Sequence, residues 1–506
     1  MTSSQCKQPW IDSVTKRLLR KKKRWFKKFQ SSSSEIIRNK YKEIKRQAQK
    51  QCRASHASYV NNMVSDDTNS SKKLWSYIRS KKNEGSGVAP LRNKNGALVQ
   101  DNEGKANLLN EQFSSVFTDP SSPIHGKLTG ESTPSIGQIK VTEEGIMKLM
   151  LNLDENKATG PDGISAKCIK MFANELAPVY TYNLFQTSLD QGEVLEDWKQ
   201  ANITPIFKKG DKHQAENYRP VSLTSITCKL LEHVIYSNIM KHLDVYNVLT
   251  DVQHGFRRNR SCESQLLTTC TDFINTLNEK GQTDSILHGF SKAFDKVHHR
   301  SLIAKLNHYG ISGTLLSWIE SFLSNRTQRV MLENKISKAM PVLSGVPQGT
   351  VLGPLLFLAY INDLPEKISE GTCMRLFAYD SLLYRRINAT KDTEILQHDL
   401  QKLQQWETEW KMEFHPQKCK VIRITNKINV ISGNYTIHNQ ILETSSKAEY
   451  LGVTLDNKMS WNSHIDKVTK KANNTLAFLR RNLTFCPSTV KEKCYKTFSA
   501  PHPRVQ

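Results

Sequence analysis

The sequence predicts an α+β protein, and three observations carry that expectation. Leu396, Leu400, Leu403, Trp406 and Trp410 recur at spacings of three and four, as do Ile465, Val468, Ala472, Leu476, Leu479 and Leu483. That is the period of an amphipathic helix. Short β-branched runs at 202–207, 285–290 and 420–425 read as strands. Helices and strands follow one another without the regular alternation of a parallel βαβ fold, which points to α+β layers.

The 506 residues leave room for two to four domains. Residues 1–53 form a basic arm, with 17 Lys or Arg against three acids, so it carries +14 of the chain's formal +24. Its densest part is Lys21, Lys22, Lys23, Arg24, Lys27 and Lys28, interleaved with Trp25, Phe26 and Phe29. Cations on phosphates and rings on unpaired bases suit RNA or single strands. A nuclear-import signal and a merely solvated helical arm are the alternatives. Residues 54–140 are polar and mixed, with Gly-rich and Ser/Pro/Gly-rich stretches, and read as a linker region. Core-forming sequence begins near Val141 and runs to 455, followed by the helical segment 456–506.

The charge excess favours a polyanionic partner, nucleic acid before membrane. Met1 to Trp10 lacks the apolar stretch of a signal peptide, and the longest apolar run, near Leu355–Ile361, is far short of a membrane span. An intracellular protein of cytoplasm or nucleus is expected, neither secreted nor membrane-bound. The ten cysteines contain no C-x-x-C pair, so reduced thiols are expected and no zinc site.

Five groups of segments carry chemistry, in this order. The first is Asn156-Lys-Ala-Thr-Gly-Pro-Asp-Gly-Ile164, with Trp198 and Ile206-Phe-Lys-Lys-Gly-Asp211. Asn217-Tyr-Arg-Pro-Val-Ser-Leu223 follows, leading to Lys229-Leu-Leu-Glu232. Next come Gln253-His-Gly-Phe-Arg-Arg258 and Phe290-Ser-Lys-Ala-Phe-Asp-Lys-Val297. The fourth is Ser344-Gly-Val-Pro-Gln-Gly-Thr-Val-Leu-Gly-Pro354. The last is Phe377-Ala-Tyr-Asp380, with Lys418 and Tyr450-Leu-Gly-Val453 after it. From about residue 140 to 495 the chain closely resembles the reverse transcriptase of non-LTR retrotransposons of the jockey type.

The resemblance implies a right-hand polymerase: fingers, an antiparallel-sheet palm and a helical thumb. It implies RNA-directed DNA synthesis, with an RNA template, a DNA primer or target, and deoxynucleoside triphosphates as partners, and Mg²⁺ as cofactor. Two Mg²⁺ ions stabilise the attacking and leaving oxygens in such a reaction, and carboxylates must converge to hold them. By resemblance Lys208 or Lys209 and Arg219 hold the triphosphate, and Gln348 and Gly349 contact the nucleotide. Phe294 falls at the sugar gate, Lys418 lies near the leaving pyrophosphate, and Tyr450, Leu451 and Gly452 form the primer grip. The helix at 465–483 is the implied thumb.

The carboxylates depart from the family. The strand before Phe290 ends Leu287-His288-Gly289 where the family has Leu-Asp, and Phe-Ala-Asp-Asp becomes Phe377-Ala378-Tyr379-Asp380. Gly289 and Tyr379 thus stand where two metal-binding aspartates are expected, and Asp380 is the remaining metal ligand. Asp284 lies five residues back, on the opposite face of the strand. Asp295 lies six residues on, and His288 is a poor Mg²⁺ ligand. None is expected to rebuild the site. The expectation is an impaired catalyst, with a non-catalytic nucleic-acid-binding protein or a decayed reading frame as the alternative. The last residues, 499–506, read as an out-of-frame ending of a shortened thumb, and an endonuclease expected upstream is not seen in the sequence.

Overall fold

The computed structural model describes residues 8–32, 34–65, 77, 87–121 and 126–498. They fall into two compact units, one from residues within 1–86 and 461–504, the other from residues within 87–460.

The larger unit is built on two sheets. Strands are numbered β1 (Gln200–Phe207), β2 (Tyr218–Leu223), β3 (Gln282–Gly289), β4 (Arg326–Leu332), β5 (Thr372–Phe377), β6 (Asp380–Arg386) and β7 (Lys420–Thr425). In the central sheet β7, β3, β6 and β5 lie side by side and antiparallel. At its edge the two-residue strand Glu443–Thr444 pairs parallel with β7, which corrects the expected all-antiparallel sheet. The chain leaves the end of β7 and returns to its start through residues 426–442, and a crossover delivers the next segment parallel.

Alternation sorts the side chains of this sheet to two faces. Ile286, Leu383 and Val421 share the main core with helix Leu352–Ile361 and with Leu396, Leu400, Leu403, Trp406 and Trp410 of helix Thr390–Trp410. The predicted period-3.6 stripe is therefore the buried face. Leu382, Tyr384, Ile422 and Ile424 face the other way, onto helix Cys262–Asn278 and the hairpin Lys447–Tyr450/Val453–Asp456.

The second sheet runs β2, β1, β4 and the short strand Lys335–Ile336. The region expected as a linker packs against it, a second correction. Helix Asn102–Ser114, capped by Asp101 accepting from the Gly104 amide at 2.6 Å, buries Ala106, Leu109 and Phe113 against Ile203, Tyr218 and Val330. Three apolar residues at helical spacing outweigh the polar composition around them.

In the smaller unit helices Ser13–Gln30 and Glu35–Ser65 pack together, with the Thr15 and Ser55 hydroxyls 2.9 Å apart. Val60 joins a core with Leu479, Leu483, Val490 and Cys494 of the helices Asn462–Asn482 and Ser488–Phe498 and the turn between them. The second helix, which starts in the basic arm and runs on to Ser65, thus packs its C-terminal part on the C-terminal helices, a contact no local pattern encodes. Lys21, Lys23, Arg24, Lys27 and Lys28 are exposed and Lys22 is half-buried. Lys28 sits 5.1 Å from the centre of the Trp25 ring. No helix among the described residues is long and apolar enough to cross a membrane, and the described cysteines are all free.

Candidate functional site

The centre of the site is set by strand register. Gly289, the last residue of β3, stands directly opposite Asp380, the first of β6. Opposed residues of an antiparallel pair project to the same face. A Cβ placed on Gly289 would meet Asp380 Oδ1 and the Tyr379 carbonyl at 3.6 Å, ordinary contact. The backbone therefore has room for a Cβ beside Asp380, where glycine supplies no side chain. The Asp380 carboxyl is pushed up by the protein around it, while Lys208, Arg219 and Lys418 pull it back down.

Phe377 pairs with Asp380, so Ala378 and Tyr379 form a two-residue hairpin turn with Ala378 at φ +53°. A left-handed alanine is strained and needs outside support. Gln253 Oε1 supplies it, accepting from the Ala378 amide at 2.9 Å and the Gly255 amide at 2.8 Å. A Cβ on Gly255 would stand 2.3 Å from the Ala378 nitrogen, so only glycine fits. The Gln253–Gly255 motif is a clamp on this turn, a role its sequence did not disclose.

Next to the turn lies an open cleft of ≈ 680 Å³. It gathers Lys208, Lys209, Arg219, Phe294, Gln348, Gly349, Tyr379 and Lys418, eight of the residues singled out from sequence. Lys208 and Lys209 follow β1, and Arg219 sits on β2, opposite Ile206. Lys418 ends a short turn at Pro416–Lys418; three residues earlier, the His415 amide donates to the Gly289 carbonyl at 3.1 Å. Desolvation and the neighbouring Arg219, Lys418 and Lys209 lower Lys208 to about 8, with Asp380 opposing. Lys418 is lowered as well, by desolvation and then Lys209 and Lys292. Arg219 reaches the Tyr379 hydroxyl, donating from Nη2 at 3.4 Å. The Tyr379 ring meets Phe294 edge-on at 6.3 Å, and Phe294 stacks on Phe357 at 4.7 Å.

The Pro-Gln-Gly turn is tied to β2, because the Ser222 amide donates to the Gln348 carbonyl at 2.7 Å. Gly349 has φ +111°, and a Cβ there would lie 2.6 Å from the Ser222 carbonyl oxygen. Gln348 Nε2 donates to Asp295 at 3.1 Å, so Asp295 lines the cleft. Its burial raises that carboxyl to about 6, with Lys292 and Gln348 opposing. Glu232 is wholly buried and accepts from the Val351 and Leu352 amides at 2.7 and 3.0 Å, capping the helix that follows the turn. In the sequence Glu232 has no visible role and Asp295 stands only as an unsuited replacement for a carboxylate at 289, since their partners lie far along the chain.

The remaining candidates lie outside the lining of the cleft. Tyr450 is buried under helix Cys262–Asn278, its hydroxyl accepting from Gln265 at 3.0 Å, while Leu451 and Gly452 form the exposed-side turn at φ +47° and +85°. Asp284 is fully buried between Gln282 at 2.8 Å and the Tyr435 hydroxyl at 2.7 Å, away from Asp380. His288 points to the opposite face from Gly289, onto Phe414 and the Ser381 hydroxyl. Among the described residues no group of three His, Cys, Asp or Glu converges to hold a metal ion. With Asp380 alone at the junction, the donors do not fit a pair of Mg²⁺ ions.

Residues 206–455 match the family described as reverse transcriptase (RNA-dependent DNA polymerase). The chain is 26% identical over 455 residues to the RNA-directed DNA polymerase from mobile element jockey of Drosophila melanogaster, covering 86% of this chain and 49% of that protein. Against the protein of the same description in Drosophila funebris it is 27% identical over 99% of this chain and 56% of the relative. Against the probable RNA-directed DNA polymerase from transposon BS of Drosophila melanogaster it is 27% identical over 80% and 46%. The chain spans about half the length of the curated relatives it matches.

Proposed function

We propose, on the premise that residues 206–455 are a reverse transcriptase domain homologous to the RNA-directed DNA polymerases of jockey-type mobile elements, that this chain keeps the substrate-holding half of the polymerase site and lacks the metal-holding half. The central sheet is read as the palm, the second sheet as the fingers and helix Asn462–Asn482 as the thumb. The substrates are an RNA template, a DNA primer and deoxynucleoside triphosphates, and the reaction of the type is attack of the primer 3′-hydroxyl on the α-phosphate.

The observation that carries the reading is Gly289 facing Asp380 beside a cleft lined by Lys208, Lys209, Arg219 and Lys418. The cations neutralise the triphosphate, with Arg219 able to grip two oxygens at once. Lys418 stands nearest the departing pyrophosphate. Phe294, held flat on Phe357, presents a ring to the sugar. The glycine at 349 lets the nucleotide approach the backbone. The hairpin at Tyr450–Gly452 holds the primer strand. Metal ions, when a site can bind them, supply Lewis acidity at the reacting oxygens, and the donors among the described residues of this chain do not fit them.

The test is primer extension on an RNA template with Mg²⁺, using the unmodified chain, Gly289→Asp, Tyr379→Asp and the double variant. Groups acting as one unit are strongly non-additive. Only the double variant should extend the primer, exceeding the product of the singles by orders of magnitude. Extension by the unmodified chain, abolished by Asp380→Asn, would refute the reading.

A further inference from the structure

The cleft has an unbalanced charge that follows from the two missing carboxylates. Five cations line it: Lys208, Lys209, Arg219, Lys292 and Lys418. Against them stand Glu216 and Asp295 in the lining and Asp380 beside it, so the cations are in excess. Carboxylates at 289 and 379 would cancel that excess, and a phosphate chain would then need a divalent cation to be attracted. Without them the walls themselves carry the neutralising charge.

We propose that this cleft binds a triphosphate chain without any divalent cation, Arg219 releasing the Tyr379 hydroxyl to take a phosphate oxygen. The inference rests on reading the cleft as the nucleotide site. The volume, ≈ 680 Å³, suits a ligand of nucleotide size. Among the described residues the Arg219 side chain makes one hydrogen bond, a long contact of 3.4 Å at the limit of such a bond, so exchange for an anionic oxygen is favourable. Desolvation and crowding by like charges lower Lys208 and Lys418, and an arriving anion relieves that repulsion. Phe256, Phe294 and Tyr379 line the cleft and offer apolar faces to a base. In this arrangement Tyr379 acts as an internal stand-in that keeps Arg219 in place until the ligand comes. Mg²⁺ then works against binding, since it cancels two of the ligand's negative charges and the protein offers no carboxylate pair to receive it.

Calorimetric titration of the full chain with tripolyphosphate and with dATP, each in EDTA and then in excess Mg²⁺, tests this. Both ligands should bind in EDTA, dATP more tightly if the rings hold the base, and excess Mg²⁺ should weaken each by about tenfold or more. Equal affinities would assign the site to the phosphate chain alone and leave the proposal standing. Lys208→Gln/Lys418→Gln and Arg219→Gln should each weaken binding in EDTA by at least about tenfold, whereas Tyr379→Phe should keep or tighten it. Gly289→Asp/Tyr379→Asp should reverse the sign of the Mg²⁺ effect. Absence of saturable binding in EDTA, a requirement for Mg²⁺ in the unmodified chain, or binding indifferent to the Lys208, Arg219 and Lys418 changes would overturn the proposal. Failure of the double variant to extend a primer would leave these titrations untouched, so the two readings fail separately.

Discussion

His288 gives a stability prediction with a definite sign. It is buried at 4% exposure one pair in from the Gly289–Asp380 end of the β3–β6 pairing, against Phe414 at 4.8 Å. Its Nδ1 meets the Ser381 hydroxyl, and its Nε2 has no hydrogen-bond partner among the described residues. Burial lowers its pKa from 6.5 to about 4. The unfolded chain therefore takes up a proton between those values that the folded chain refuses. Stability from this residue is complete above pH 6.5 and falls as the pH drops towards 4. Weighing the two protonation equilibria puts the loss at about 2 kcal/mol at pH 5 and about 3 kcal/mol below pH 4. His288→Leu removes the titration and the orphaned nitrogen, which itself costs about 1 kcal/mol or more, and Ser381 still donates to the residue 288 carbonyl at 3.1 Å. Urea unfolding, followed by fluorescence of the buried Trp406 and Trp410, should show the variant gaining over the parent as the pH falls from 7 to 5. Stability curves that stay parallel over that range would refute the burial argument.

Two further outcomes are expected. Gly349→Ala should destabilise the Pro-Gln-Gly turn by about 2 kcal/mol, since its Cβ would press the Ser222 carbonyl at 2.6 Å in a left-handed backbone; thermal unfolding and dATP titration read it, and a neutral substitution would mean the turn is free to move. Replacing Lys21, Lys22, Lys23, Arg24, Lys27 and Lys28 by Gln should flatten the plot of log RNA affinity against log salt by up to about 4 units, at about 0.7 per phosphate contact. A filter-binding series over salt concentration measures the slope, and no change would mean that the basic helix stays clear of the RNA.

Much of this protein could be read from the chain alone because the signals are local. Short β-branched runs located β1, β3 and β7 to within a few residues, and the 3.6-residue stripes located the helices at 390–410 and 462–482. The motifs pointed to a family resemblance and a set of cations, and Gly289 and Tyr379 stood out against that pattern without any coordinates. What the tertiary structure decided depends on residues far apart in sequence. The Arg219–Tyr379 contact spans 160 positions, and the Gln253–Ala378 clamp spans 125. Glu232 became a helix cap and Asp295 a wall of the cleft only when their partners arrived from other elements. Residues 87–121 read as polar linker because their few apolar side chains have no complement nearby, yet β1 and β4 supply one. The space beside Asp380 for a side chain to start at 289 is a matter of strand register, which pairing across the sheet sets and the order of residues along one strand does not.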